Sequence, residues 1–384
     1  MSPVNYEKPR RSQKSVVNWS TQNGKERLSK TQENHHDFGM NQLPSVSTTI
    51  FKQLLNSFDN NNISCGQELD RFSLAKELAN IQGRLPAHQF YNFVESVVRK
   101  SGQNNFGFSG HLHCTPKQLI NLGLRNSTPD LESLMQSVAR CYSNHTDLAR
   151  FSIWKDPEEG AFWFYMRLHP LIRPEIRWPL LGVHLTMLIQ TIRYAEGQKW
   201  LPKQIIVPVE ANMLNYQPEW FNQCSILSSK NVTAIRVDAN SMKKPAHDLL
   251  ETENEKDRSC DSTYWPEYNQ YQTGVIGTVE STLKTFLRAT QSTPSYHLMA
   301  EMSGMSERTL SRKLQAEGLN YRSLVRNIRI DLSKEYLSNF KEKVETVANL
   351  IGYPRCSSFV RCFQQVTGMS PTEYRLSLKR IRHQ

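Results

Sequence analysis

Apolar residues change period along the first two-thirds of the chain. From about Val46, residues Ile50, Phe51, Leu54, Leu55 and Phe58 recur at i, i+3/i+4, the spacing of an amphipathic helix. Similar patterns predict helices at Leu69–Leu78, His88–Val98, Thr115–Leu122 and Asp130–Tyr142. The period then becomes two. Ala149–Trp154 and Ala161–Leu168 flank a turn from Lys155 to Gly160, which reads as a β-hairpin. Trp178 to Ile192 is the most apolar stretch. It is too short to span a bilayer, contains His184, Thr186 and Gln190, and reads as a buried helix. Gln204–Val209 and Val232–Val237 predict two further strands. Residues 46–250 are thus expected to form an α+β domain. The polar residues 1–45 form a disordered tail, since they bury too little to offset the entropy of ordering. His35 and His36 in that tail are solvated. Residues 251–274, with Glu251, Glu253, Glu255, Asp257 and Asp261, form a linker.

From Val275 to Gln384 every pattern is helical. Val279, Leu283, Phe286 and Leu287 mark one amphipathic helix, ended by Thr293-Pro294. His297–Met302 is a short helix closed by Gly304, which supplies the positive φ of a tight turn between helices. Ser306 caps the next helix, with Glu307 in its first turn. Leu310 and Leu314 face inward and Gly318 stops it. Arg308, Ser311, Arg312 and Gln315 are left on the outer side. Such a face suits a major groove, where Arg donates two bonds to guanine. Taken alone it reads by default as the solvated side of an ordinary helix.

The pattern then repeats. Ala300-x-x-x-Gly304 returns as Ala348-x-x-x-Gly352, and Leu310-x-Arg312-x-Leu314 returns as Phe359-x-Arg361-x-Phe363. The offset grows by one residue across the turn, so one residue is inserted there. Asn320 caps the helix between the two units, which runs to about Leu337. At about 18 residues it is roughly 27 Å long. Successive major grooves on one face of a duplex lie about 34 Å apart. A single chain can therefore set Arg312 and Arg361 into neighbouring grooves.

Charge supports this reading. The chain has a formal net charge of +11, and Val275–Gln384 holds 17 Lys and Arg against 9 Asp and Glu. Most of the excess therefore lies in the helical third, the footprint of a polyanion binder. Hydrophobic residues make up 38% of the chain, low for one compact enzyme. The seven cysteines include no CxxC pair, which argues against a disulfide scaffold or zinc ribbon and for a reducing, cytoplasmic compartment. The polar N-terminus has no apolar core of a signal peptide.

Over Leu298 to Arg375 the chain resembles the AraC/XylS family of bacterial transcription regulators. The resemblance is carried by Ser306–Leu314, Ile351-Gly352-Tyr353, Ser357-Ser358-Phe359-x-Arg361-x-Phe363, Thr367–Pro371 and Tyr374-Arg375. It implies a multidomain protein: an α+β N-terminal domain, and an all-α C-terminal domain of seven helices with two helix-turn-helix units joined by a linking helix. By position, it implies base contacts from Arg308, Ser311 and Arg312 in the first unit. In the second it implies them from Ser357 and Arg361, with Arg355, Cys356 and Val360 on the leading face. Pro354-Arg355-Cys356 replaces the polar run usual before the second recognition helix. Cys356 and Val360 stand where polar side chains are common. The second unit is therefore expected to give more phosphate grip and apolar contact than base reading. Residues 46–250 resemble, more loosely, the arabinose-binding-like (OruR-like) effector domain of one branch, which implies effector binding, dimerisation or both. The cues are the helices, the hairpin, and Pro218-Glu219-Trp220-Phe221 followed by a strand.

Other constellations carry less. His111-Leu112-His113-Cys114 has metal-ligand types but no second cluster nearby in sequence, so no metal is expected. Phe162–Tyr165 either lines a pocket or packs the hairpin against helices. Arg167, Arg173, Arg177 and Arg193 either clamp an anion or simply solvate. No Ser-His-Asp pattern, P-loop or GxGxxG is found, and neither catalysis nor a cofactor is suggested. The sequence therefore reads as a DNA-binding transcription regulator. Its partner is double-stranded DNA, and RNA polymerase, a small-molecule effector and a second copy are further candidates. No membrane partner is expected. Two rivals stay open: a small-molecule-binding or catalytic protein with a helical assembly tail, and a partner-binding adaptor.

Overall fold

The computed structural model describes residues 17–18, 43–103, 107, 130–157, 160–170, 172, 174–208, 219–229, 232–245, 274–339 and 342–382. Most of the tail expected over 1–45, the helix expected at Thr115–Leu122, the His111–Cys114 run, Arg173 and nearly all of the linker 251–274 lie outside the described residues.

Eight strands are present among the described residues: β1 (Val17–Asn18), β2 (Ser45–Ser47), β3 (Arg84–Pro86), β4 (Ala149–Lys155), β5 (Phe162–Leu168), β6 (Gln204–Pro208), β7 (Ser225–Ser229) and β8 (Thr233–Val237). Six of them form a mixed sheet in the order β1-β7-β6-β8-β5-β4. β4 and β5 are the hairpin the alternation predicted, with Ile153 opposite Phe164. β2 and β3 form a separate antiparallel pair. At three residues each, they are too short for alternation to reveal.

The helices before the sheet are α1 (Thr48–Asn60), α2 (Gly66–Arg71), α3 (Ala87–Ser101) and α4 (Leu131–His145), and α5 (Pro174–Glu196) crosses after the hairpin. Caps explain two of the starts. The Ile50 amide donates to the Ser47 side chain, and the Ser133 amide donates to Asp130 at 2.8 Å. The single helix expected over Leu69–Leu78 is instead α2 followed by a separate 3-10 turn at Lys76–Asn80. Between them Ser73 takes φ +51°, and a right-handed helix does not continue through a left-handed residue.

Two cores result. In one, α4 and α5 cover a face of the large sheet, burying Leu134, Val138, Leu185, Phe164 and Ile235. In the other, α1, α3 and the β2–β3 pair bury Phe51, Phe58, Phe93 and Leu85, with edge-to-face contacts among the phenylalanines. Because strand side chains alternate, the aromatic run of β5 is divided between both faces of the sheet. Phe162 and Phe164 face the helices, while Trp163 packs with Ile206, Leu227 and Ala234 on the other side. Two of the arginines around α5 bond to backbone carbonyls. Arg177 Nε donates to the Ile172 carbonyl and Arg193 Nε to that of Trp200. Among the described residues no helix is long and apolar enough to cross a membrane.

Among the described residues from 274 onward there are seven helices: α6 (Val275–Thr290), α7 (Tyr296–Met302), α8 (Glu307–Gln315), α9 (Tyr321–Ser338), α10 (Val344–Leu350), α11 (Cys356–Thr367) and α12 (Pro371–Arg382). Their shared core holds Leu283, Leu287, Leu310, Leu314, Ile328, Val347, Phe359 and Phe363.

Candidate nucleic-acid interface

The two repeated units have the same local geometry. At the first turn Gly304 has φ +65° and the Met305 amide donates to the Ala300 carbonyl at 2.9 Å. At the second, Gly352 has φ +72° and the Tyr353 amide donates to the Ala348 carbonyl at 2.9 Å. Ala300 and Ala348 are both buried in the shared helical core. Two residues separate Gly304 from α8 and three separate Gly352 from α11. This is the insertion the changed offset requires.

Each outer helix then buries one stripe and exposes the other. In α8, Leu310 and Leu314 are buried, Arg308, Arg312 and Gln315 are exposed, and Ser311 is half-buried beside them. In α11, Phe359 and Phe363 are buried, Arg355, Ser357 and Arg361 are exposed, and Cys356 and Val360 are half-buried. The structure therefore places all nine sequence-predicted positions on or at the edge of the solvent faces of the two helices.

The helix starts differ in a way that bears on anions. The Thr309 amide of α8 donates to Ser306 Oγ at 3.2 Å. At α11 the cap residue is Arg355, with no side-chain cap bond. Its first-turn amides and the exposed guanidinium beside them make a basic terminus of the kind that binds phosphate. The connecting helix is anchored at both ends. Asn320 and Ser323 form a reciprocal capping box at its start. Arg375 Nε donates to the Leu337 carbonyl at its end, at 3.3 Å. Arg288 of α6 pairs with Glu335 at 2.7 Å on its exposed side. At 18 residues α9 is about 27 Å long, as the sequence required.

Some supporting residues give no sequence signal. Arg329 reaches from α9 to the second turn, where its guanidinium lies 5.2 Å from the centre of the Tyr353 ring. Burial pushes the Tyr353 hydroxyl up to about 12. The neighbouring Cys362 thiol adds to the rise, and the Arg329 charge opposes it. From Tyr353 a chain of ring contacts runs through Phe359 and Phe363 to Tyr374 of α12, with centroids 5.6–5.7 Å apart. The first unit has Met305, Leu310 and Leu314 at the matching positions and lacks this aromatic ladder. A lone Arg in the middle of a helix does not reveal which ring it will cover.

Among the described residues no group of three or more His, Cys, Asp or Glu is placed to hold a metal ion.

Two family models match parts of this chain. The family model described as a helix-turn-helix domain matches residues 299–377. That of the arabinose-binding domain of AraC transcription regulators matches residues 64–246. The HTH-type transcriptional regulator VqsM of Pseudomonas aeruginosa is 36% identical over 84 residues, 22% of this chain and 26% of that protein. The HTH-type transcriptional regulator VirS of Mycobacterium tuberculosis is 27% identical over 153 residues, 40% of this chain and 43% of that protein. The chain thus spans between a quarter and a half of the length of these relatives. The crystal structure of the transcriptional regulator CdpR from Pseudomonas aeruginosa aligns over 89% of this chain and 99% of that one, at 16% identity and a TM-score of 0.36.

Proposed function

The chain belongs to the AraC family of transcription regulators through both of its matched domains, and from that premise we propose that it binds double-stranded DNA sequence-specifically and regulates transcription in the cytoplasm. One observation carries the reading. Two helix-turn-helix units of matching backbone geometry present basic, exposed helix faces, and one capped helix of the right length holds them apart.

In this reading α8 enters one major groove and α11 the next. Arg308, Ser311, Arg312 and Gln315 meet base edges from the first helix. Ser357 and Arg361 do so from the second, where Arg355 grips phosphate and Cys356 and Val360 make apolar contact. Residues 46–250 act as an effector-sensing or dimerisation domain, joined to the reader at 275–384 through 251–274. Catalysis has no part in this reading. The pattern of Arg and Ser on α8 is the one that reads guanine, while the uncapped start of α11 favours positioning over reading.

The test is selection of bound duplexes from a random pool by the full-length protein, followed by binding measurements on the winner. Arg312→Ala should lose roughly 1–3 kcal/mol at one base pair and relax preference there. Arg355→Ala should weaken selected and random duplexes alike. Affinity should fall steeply with salt as counterions are released. A selection that enriches nothing, or a flat salt titration, overturns the proposal.

A further inference from the structure

The two reading units are supported differently, and the difference lies in what touches each turn. Helix α6 belongs to two cores at once. Val279, Leu283 and Leu287 pack into the helical core, whereas Phe286 is buried in the core of α1, α3 and β3. A polar seam fixes the same helix to the short sheet. Thr278 Oγ1 donates to the Leu43 carbonyl at 2.8 Å, and the Arg84 amide donates to Thr285 Oγ1 at 3.2 Å. Gly83 has no room for a side chain there, since a Cβ would lie 1.9 Å from Thr285 Oγ1.

The next helix repeats the arrangement. α7 supports the first recognition helix, and its Met299 and Ala300 enter the helical core. Its Met302, with Leu298 beside it, enters the core of the α+β region instead. The turn that follows is touched from the same side. A Cβ on Gly304 would lie 2.8 Å from the ring of His88, at the start of α3.

Among the described residues the second unit has none of this. At the positions matching Leu298 and Met302, α10 carries Thr346, which is exposed, and Leu350, which is half-exposed. Its turn glycine, Gly352, faces the Gln291 carbonyl oxygen and Arg329, both from the helical region itself.

We propose that His88 is a positioning residue for the first recognition helix only, so that the α+β region sets how the first half of the binding site is read and leaves the second half untouched. This rests on the DNA-binding reading above. His88 does not meet DNA in this account. It acts through the Gly304 turn, whose placement sets where α8 lies, and with it Arg308 and Arg312. Packed turns of this kind have discrete arrangements and do not yield by small degrees. Any state of the α+β region that shifts the start of α3 would therefore alter base preference on one side of the site only.

The experiment uses the full-length protein and the duplex selected above, with single base-pair substitutions scanned across both halves. His88→Ala opens the contact. It should reduce discrimination by roughly tenfold, the usual scale of such coupling, at the base pairs where Arg308→Ala and Arg312→Ala also act. Discrimination at the base pairs where Arg361→Ala acts should stay within about twofold. Should His88→Ala fail to fold, Leu298→Thr removes the neighbouring anchor and should give the same one-sided loss, because Thr is what the second unit carries there. Equal loss on both sides, or no change on either, overturns the inference while leaving the DNA-binding reading intact. A wild-type protein that selects no duplex overturns both.

Discussion

Gly352 and Gly318 both lie in left-handed backbone, at φ +72° and +70°, yet replacing them with Ala should have different consequences. An L-residue held there loses about 1–2 kcal/mol, and this applies to both. Ala also stiffens the unfolded chain, which offsets part of that loss equally at the two sites. The surroundings differ. Nothing lies within 4 Å of a Cβ at Gly318, whereas a Cβ at Gly352 would stand 2.5 Å from the Gln291 carbonyl oxygen. That oxygen belongs to backbone at the end of α6 and cannot swing aside as a flexible side chain would. Overpacking of this kind typically adds about 1–3 kcal/mol. Gly352→Ala should therefore be about 2 kcal/mol worse than Gly318→Ala. Tryptophan fluorescence will not report it, because every tryptophan lies at or before Trp265. Amide hydrogen exchange across α10 and α11 will, and a 2 kcal/mol difference is roughly thirtyfold in the local opening constant. Equal protection of those helices in the two variants would refute the steric account of the turn.

Further outcomes follow from the interior. His184 stacks on Phe151, its Nδ1–H donates to the Leu180 carbonyl, and burial lowers its pKa to about 4 from a usual 6.5. The unfolded chain therefore binds the extra proton first, and stability should fall by about 3 kcal/mol as pH drops from 6.5 to 4. Denaturation at stepped pH should show this component vanish in His184→Phe. Phe363→Ala, at the centre of the aromatic ladder, should cost about 3–5 kcal/mol and appear as early melting of the helical region by circular dichroism. Arg84 is buried and donates to Ser45, to the Asn144 carbonyl and to Asp147. Arg84→Met should cost about 3 kcal/mol in thermal unfolding. That is the lower end for a broken buried pair, because Ser45 and Arg150 still serve Asp147.

What the sequence alone determined was the local and periodic part. Ser306 and Asn320 mark helix starts because a short polar side chain satisfies amides only a few residues away. Gly304 and Gly352 mark turns because the required φ excludes most other residues. The repeat of Ala, Gly and paired apolar positions at a nearly constant offset identified two like units. The charge excess told what kind of partner they face. Each of these signals is complete within one or two helical turns, so it survives in a linear string. What only the tertiary structure decided depended on residues far apart in sequence. Ser73 broke an otherwise periodic helix. β2 and β3 were too short to carry a period and exist because they pair with each other. Thr285 looks like any polar residue of an amphipathic helix until Arg84, 201 positions earlier, is found donating to it. Leu298 and Met302 fit the pattern of one core and pack into another. Periodicity states which face of a helix is buried, but not against what. Only the packed chain could show that the first reading unit leans on the α+β region and the second on itself.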